Sequence, residues 1–179
     1  MSKPAATSTS TLERLIPSEL ESSDVTGAET YRLHVERYKF AAKFVRSGRV
    51  LDCACGVGYG SAILAQAGSG AQIVTGVDID AAAVEYAKTN YEGDRLQFLC
   101  ADGARFDGDP YDTIVSFETI EHVPDPEALI DNFTRLLAPG GTLVASVPVT
   151  PSVDVNPYHL HDFTEASFRR MFEKRGFTL

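Results

Sequence analysis

The sequence predicts a doubly wound α/β domain on a mostly parallel sheet, and three observations predict it. Short apolar runs that suit strands alternate with runs that suit helices, the pattern of parallel strands joined by right-handed crossovers. The first strand-like run passes through Gly56, Gly58 and Gly60 straight into the helix-compatible run SAILAQA. No internal repeat or second domain is visible in 179 residues, a length that suits a single core.

The elements follow in order. Residues 1–11 are rich in Ser, Thr and Ala and are expected to be disordered. The polar stretch up to residue 29, broken by Pro17 and Gly27, is expected to form a tail or lid, with the domain proper spanning residues 30–179. Tyr31, Val35, Tyr38, Ala42 and Val45 recur at spacings of three and four and predict an amphipathic helix over 30–45. A strand is expected at 49–54 and a helix at 61–67. A second strand at 71–79 leads to a helix at 81–89 with Asp80 as N-cap. A third strand is expected at 96–101 and a fourth at 113–117. The next helix spans 126–137, with Asp125 as cap and Pro126 in its first turn. Pro139-Gly140-Gly141 reads as a turn before a fifth strand at 142–147. Thr164 opens a last helix to about Arg175, burying Phe168, Met171 and Phe172, and Gly176 ends it.

Composition narrows the function classes. The chain is 44% hydrophobic and 23% charged, with a net charge of -9. That balance disfavours a nucleic-acid or anionic-membrane partner. No apolar run approaches the roughly 20 residues of a membrane span, and the N-terminus lacks the apolar segment of a signal peptide. Three cysteines, an odd number, suit a reducing cytoplasm.

Chemistry concentrates where the first strand meets its helix. Bare backbone N–H groups at a glycine turn and a helix N-terminus favour a nucleotide-like cofactor. Asp52 supplies an acceptor beside that turn. The dinucleotide fingerprint G-x-G-x-x-G is not met, because the third glycine comes one residue early and Ser61 stands in its place. Asp78 ends the second strand, twenty residues past Gly58. A carboxylate there accepts hydrogen bonds from ribose hydroxyls of either candidate cofactor.

The pattern D-x-x-x-G-x-G-x-G resembles the first motif of class I S-adenosylmethionine-dependent methyltransferases, with Ala54 in place of the first glycine. The stretch YDTIVSFETIEHVPDPEALIDNFTRLLAPGGTLVASVP resembles the small-molecule branch of that family, which includes ubiquinone-biosynthesis and sugar- and antibiotic-tailoring enzymes. ERLIP, HVERYKFAAKF and NPYHLHDFT look most like methyltransferases found with glycan-assembly genes. The resemblance implies a Rossmann-like fold that normally closes with an antiparallel strand pair. The sequence stops at Gly176-Phe177-Thr178-Leu179, so those closing strands are expected to be missing.

The resemblance also implies roles. Asp52, Ala54, Gly56 and Gly58 would hold the methionine end of S-adenosylmethionine, and Asp78 the ribose. Ile79, Asp102 and Gly103 would surround the adenine. Arg37, beside His34 and Tyr38 on the first helix, is a candidate partner for the methionine carboxylate, with a solvated helix face as the alternative.

Methyl transfer needs an aligned acceptor and a group to take its proton. His122, just beyond the fourth strand, is the candidate. His159 and His161 are candidates to line the acceptor pocket. If 118–122 formed a helical turn, Glu118, Glu121 and His122 would share a face able to hold a divalent ion; no metal is assigned. The expected activity is methyl transfer to an oxygen or nitrogen of a small molecule. The rivals are an NAD-dependent oxidoreductase, weakened by the early glycine and the lack of a Tyr-x-x-x-Lys pair, and an inactive cofactor-binding partner subunit.

Overall fold

The computed structural model describes Pro17, residues 25–66 and residues 70–179. The expected disorder of residues 1–11 and most of the expected lid lie outside the described residues. The elements run α1 (Val25–Ala42), β1 (Gly48–Cys53), α2 (Tyr59–Gln66), β2 (Ala71–Asp78) and α3 (Ala81–Tyr91). Then come β3 (Leu96–Cys100), β4 (Tyr111–Phe117), α4 (Pro126–Leu136), β5 (Leu137–Ser146) and α5 (Glu165–Glu173).

The strands form one sheet in the order β3-β2-β1-β4-β5, with every neighbouring pair parallel. Strand order reverses between β1 and β4, which opens a crevice beyond their carboxyl ends. Among the described residues no strand follows β5, and residues 177–179 carry no regular structure.

Alternation along the strands divides the interior into two cores. Val50, Val74, Phe98 and Val115 pack under α1, α2 and α3 with Tyr38, Ala41, Leu64 and Ala87. Leu51, Val77 and Ile114 face the other way, against Leu129, Ile130, Phe133 and Phe172 of α4 and α5. Successive strand residues point to opposite faces, so both faces need apolar side chains and the strands read as continuous apolar runs.

Local signals act as expected at most element ends. Asp80 accepts from the N–H groups of Ala82 and Ala83, and Asp125 from that of Ala128. Thr164 and Ser167 form a reciprocal cap on α5. Gly176 closes that helix at φ +82, with the N–H of Gly176 on Glu173 O and that of Phe177 on Phe172 O.

Two expectations need correction. α1 begins at Val25, ahead of the expected residue 30, and ends at Ala42. Pro139-Gly140-Gly141 is a bulge inside β5 rather than a turn before it. Leu137 already pairs with Tyr111, and Thr142 pairs with Thr113, so the residues between are extruded from the ladder with Gly140 at φ +74.

Candidate active site

At the end of β1 the backbone turns sharply. Ala54, Gly56 and Gly58 take left-handed φ values of +64, +54 and +87, and α2 starts at Tyr59. The N–H groups of Ala54 and Cys55 both reach Val77 O, at 2.7 and 3.0 Å, which ties the turn to β2. The glycines divide their roles. A Cβ on Gly58 would lie 2.6 Å from Ala87 and 2.8 Å from the Phe98 ring, whereas one on Gly56 meets nothing within 4 Å. Gly58 lets helix and sheet pack closely. Gly56 leaves open backbone at the crevice, a cradle that fits the methionine end of the expected cofactor.

Asp78 clasps the turn from β2. Its Oδ2 accepts from the Gly56 N–H at 2.8 Å and its Oδ1 from the Asp80 N–H at 2.9 Å. Each carboxylate oxygen has a second lone pair, so the ribose role is compatible with these bonds. Ile79 follows with 71% of its surface exposed, an apolar plate at the rim. Asp102 accepts from the Ala104 N–H at 2.9 Å. Gly103 sits so close to Cys53 Sγ that a side chain would collide, and its carbonyl is held by Asn132 of α4. Ala54, Gly56, Asp78, Ile79, Asp102 and Gly103 thus meet at the carboxyl ends of β1, β2 and β3.

Asp52 lies deeper than its neighbours. It is fully buried beneath the turn, accepting from Tyr38 Oη at 3.1 Å and Ser61 Oγ at 2.6 Å. The carboxylate therefore joins α1, β1 and α2. Burial pushes its pKa up to about 7, partly offset by the hydrogen bonds from Ser61 and Tyr38. A carboxyl raised in the fold above its unfolded value of about 4 adds stability below pH ~4 and loses that contribution as pH rises towards 7. Asp52→Asn stays neutral throughout. Its melting temperature relative to the native chain is expected to rise between pH 4 and pH 7 and level off above. The full effect is at most about 4 kcal/mol. Parallel pH trends in the two proteins, by calorimetry, would refute this.

Beyond β4 the chain turns again, with Glu118 at φ +48. This turn sends the Glu118 carboxylate towards β5 and α1: Ser146 Oγ donates to Oε1 at 2.6 Å, and Arg37 lies 3.6 Å from Oε2. The helical turn that would have put Glu118, Glu121 and His122 on one face is not formed, because 118–122 is not helical. Glu121 is buried, with Oε1 3.9 Å from His122 Nε2. The third partner is His159, whose ring meets that of His122 edge-on at 4.7 Å. Glu121, His122 and His159 each offer a donor atom within 4.8 Å of the others, a grouping able to hold a metal ion.

The loop after β5 is pinned over this turn. His122 Nδ1 contacts Tyr158 O at 2.9 Å. A carbonyl only accepts, so Nδ1 carries the hydrogen of that contact. His159 Nδ1 pairs with Ser152 Oγ at 2.6 Å. His161 instead donates from Nε2 to Val123 O, so it anchors the loop while His159 faces His122. Arg37 engages Glu118, and His34 reaches Tyr59 Oη at 2.8 Å. The structural parts of Tyr38, Ser61 and Ser146 were not legible in sequence, because a lone hydroxyl signals nothing until a carboxylate is placed beside it.

A family model described as a methyltransferase domain matches residues 28–179. A Mycolicibacterium smegmatis protein named "Probable S-adenosylmethionine-dependent methyltransferase" is 28% identical over 159 residues, covering 82% of this chain and 58% of its own length. The ubiquinone biosynthesis O-methyltransferase of Coxiella burnetii is 37% identical over 111 residues, 57% of this chain and 44% of that protein. The chain thus spans about half the length of the curated relatives it matches. The solved magnesium protoporphyrin IX methyltransferase of Synechocystis with bound S-adenosylmethionine superimposes with a TM-score of 0.70 at 23% identity, covering 89% of this chain and 76% of that one. At that identity the likeness is one of fold.

Proposed function

This chain belongs to the class I S-adenosylmethionine-dependent methyltransferases, and on that premise we propose that it methylates an oxygen or nitrogen of a small molecule, such as a sugar, nucleotide-sugar or other tailoring substrate. Its cofactor is S-adenosylmethionine, which when bound supplies a methyl group already activated by the sulfonium charge. In our reading residues 30–179 form the catalytic domain. Among the described residues no helix is long and apolar enough to cross a membrane. The three free cysteines support a cytoplasmic setting.

The protein's part is alignment and proton removal. Asp78 holds the ribose, and Ile79, Asp102 and Gly103 border the adenine. Ala54 and Gly56 border the methionine end, while Gly58, by its close packing on Ala87 and Phe98, and Asp52, from beneath, hold the turn. The observation that carries the acceptor step is the orientation of His122. Its Nδ1–H is directed to Tyr158 O, and its Nε2, 3.9 Å from Oε1 of the buried Glu121, orients the acceptor and takes its proton.

His122→Ala is expected to lower turnover by about 10²–10⁴ while leaving cofactor affinity within about twofold. The check is release of S-adenosylhomocysteine across a panel of hydroxylated and amino-bearing small molecules, with calorimetric titration of the cofactor alongside. Turnover unchanged in the variant would remove His122 from the mechanism.

A further inference from the structure

Metal-ligating side chains from two distant segments meet where the turn after β4 touches the loop after β5. Glu121, His122 and His159 each bring a donor atom within 4.8 Å of the other two. Zinc–nitrogen and zinc–oxygen bonds of about 2.0–2.2 Å place tetrahedral ligand atoms roughly 3.4 Å apart. Glu121 Oε1 and His122 Nε2 already stand at 3.9 Å, so small side-chain rotations close the cage.

The loop is fastened on both sides of His159. The Leu160 N–H donates to Glu121 O at 2.8 Å, and Tyr158 O accepts from His122 Nδ1 at 2.9 Å. His159 is thereby delivered to the Glu121–His122 pair by its own two neighbours. Both rings also carry the outer contact of metal-binding imidazoles, in which an acceptor holds the second nitrogen. Tyr158 O serves His122, and Ser152 Oγ serves His159 Nδ1 at 2.6 Å, so Nε2 is the nitrogen assigned to the metal in each ring. Glu121 is buried and the His122 side chain is 24% exposed, so a cation enters from the His122 side. Glu118 takes no part, because its carboxylate lies with Ser146 and Arg37.

We propose that Glu121, His122 and His159 form a site for a zinc-class divalent cation, held by two imidazole Nε2 atoms and one carboxylate oxygen. Imidazole suits zinc, copper and nickel, whereas magnesium and calcium prefer all-oxygen sets. Three protein ligands with an open fourth position are the pattern of accessible sites rather than closed structural ones. The cation and the acceptor's proton compete for the same Nε2 of His122, so occupancy shuts off proton removal. Competition presupposes the methyl-transfer reading, whereas cation binding does not.

The test titrates Co2+ into the full chain, freed of metal by chelation, and follows the visible absorption. One equivalent is expected to give the intense bands of four-coordinate cobalt, which Zn2+ bleaches and excess Mg2+ does not. Glu121→Gln and His159→Ala are expected to weaken binding about 100-fold or more, and Ser152→Ala, which removes only the outer hydroxyl, about tenfold. Thermal melts show whether each variant is folded. Equal affinity in the native chain and a folded His159→Ala, or the weak spectrum of six-coordinate cobalt, overturns the site. In the S-adenosylhomocysteine-release assay Zn2+ is expected to abolish turnover and chelation to restore it. Turnover unchanged or raised by Zn2+ overturns the competition. Cobalt bands without any heat from S-adenosylhomocysteine count against the methyl-transfer reading and leave the cation site standing.

Discussion

Replacing the buried Asp78 with alanine is expected to weaken S-adenosylmethionine binding about 100-fold. Hydrogen bonds to a charged acceptor contribute about 1.5–3 kcal/mol each, and about 1.4 kcal/mol is a factor of ten. The variant loses the acceptor proposed for the ribose and also releases the Gly56 and Asp80 N–H groups that the carboxylate now holds. Asp78→Asn separates the two contributions. It retains one carbonyl oxygen for the turn but offers the ribose an uncharged acceptor, so its affinity should fall between the other two. Calorimetric titration of all three proteins decides the matter, with thermal melts to confirm folding. Equal affinity in native and Asp78→Ala chains would mean that the carboxylate serves the loop alone.

Gly58→Ala is expected to destabilise the fold by about 3 kcal/mol. Roughly 1 kcal/mol comes from forcing an L-residue into a left-handed conformation at φ +87. About 2 kcal/mol more comes from overpacking against Ala87 and Phe98, which a new methyl would meet at 2.6 and 2.8 Å. For a chain of this length the melting temperature should fall by about 10 °C. Gly56→Ala makes the informative partner. Its φ of +54 carries a similar backbone penalty, but the methyl would project into open space, where the cofactor is proposed to lie. Gly56→Ala should therefore lose affinity more than stability, and Gly58→Ala the reverse. The same ranking on both measurements for the two variants would contradict the division of roles.

These two residues show why much of the molecule is legible in one dimension. A parallel strand buried on both faces must be apolar throughout, so Val50–Leu51 and Ile114–Val115 announce themselves without help from partners. A turn that needs left-handed backbone leaves glycines at fixed spacing. Asp80, Asp125 and Thr164 cap their helices by contacts within three residues, and such local chemistry is written locally. The bulge at 138–141 was misread for the opposite reason. Proline and glycines signal a turn in isolation, and only the pairing of Leu137 with Tyr111 keeps them inside a strand.

The site divides along the same line. By itself the sequence determined the fold class, the glycine turn and Asp78 with its acidic position at a strand end, because each depends on near neighbours and on strand periodicity. Which side chains meet across the crevice was decided only by tertiary structure. Glu118 belongs with Ser146 and Arg37 rather than with Glu121, because one left-handed residue reverses its direction. His159 joins His122 across 36 intervening residues, because the loop after β5 is fastened to the turn after β4. Asp52 turns inward because Tyr38 and Ser61 arrive from two helices to bond it. Contacts between distant segments follow from how the sheet orders its strands, and no local pattern of residues encodes that order.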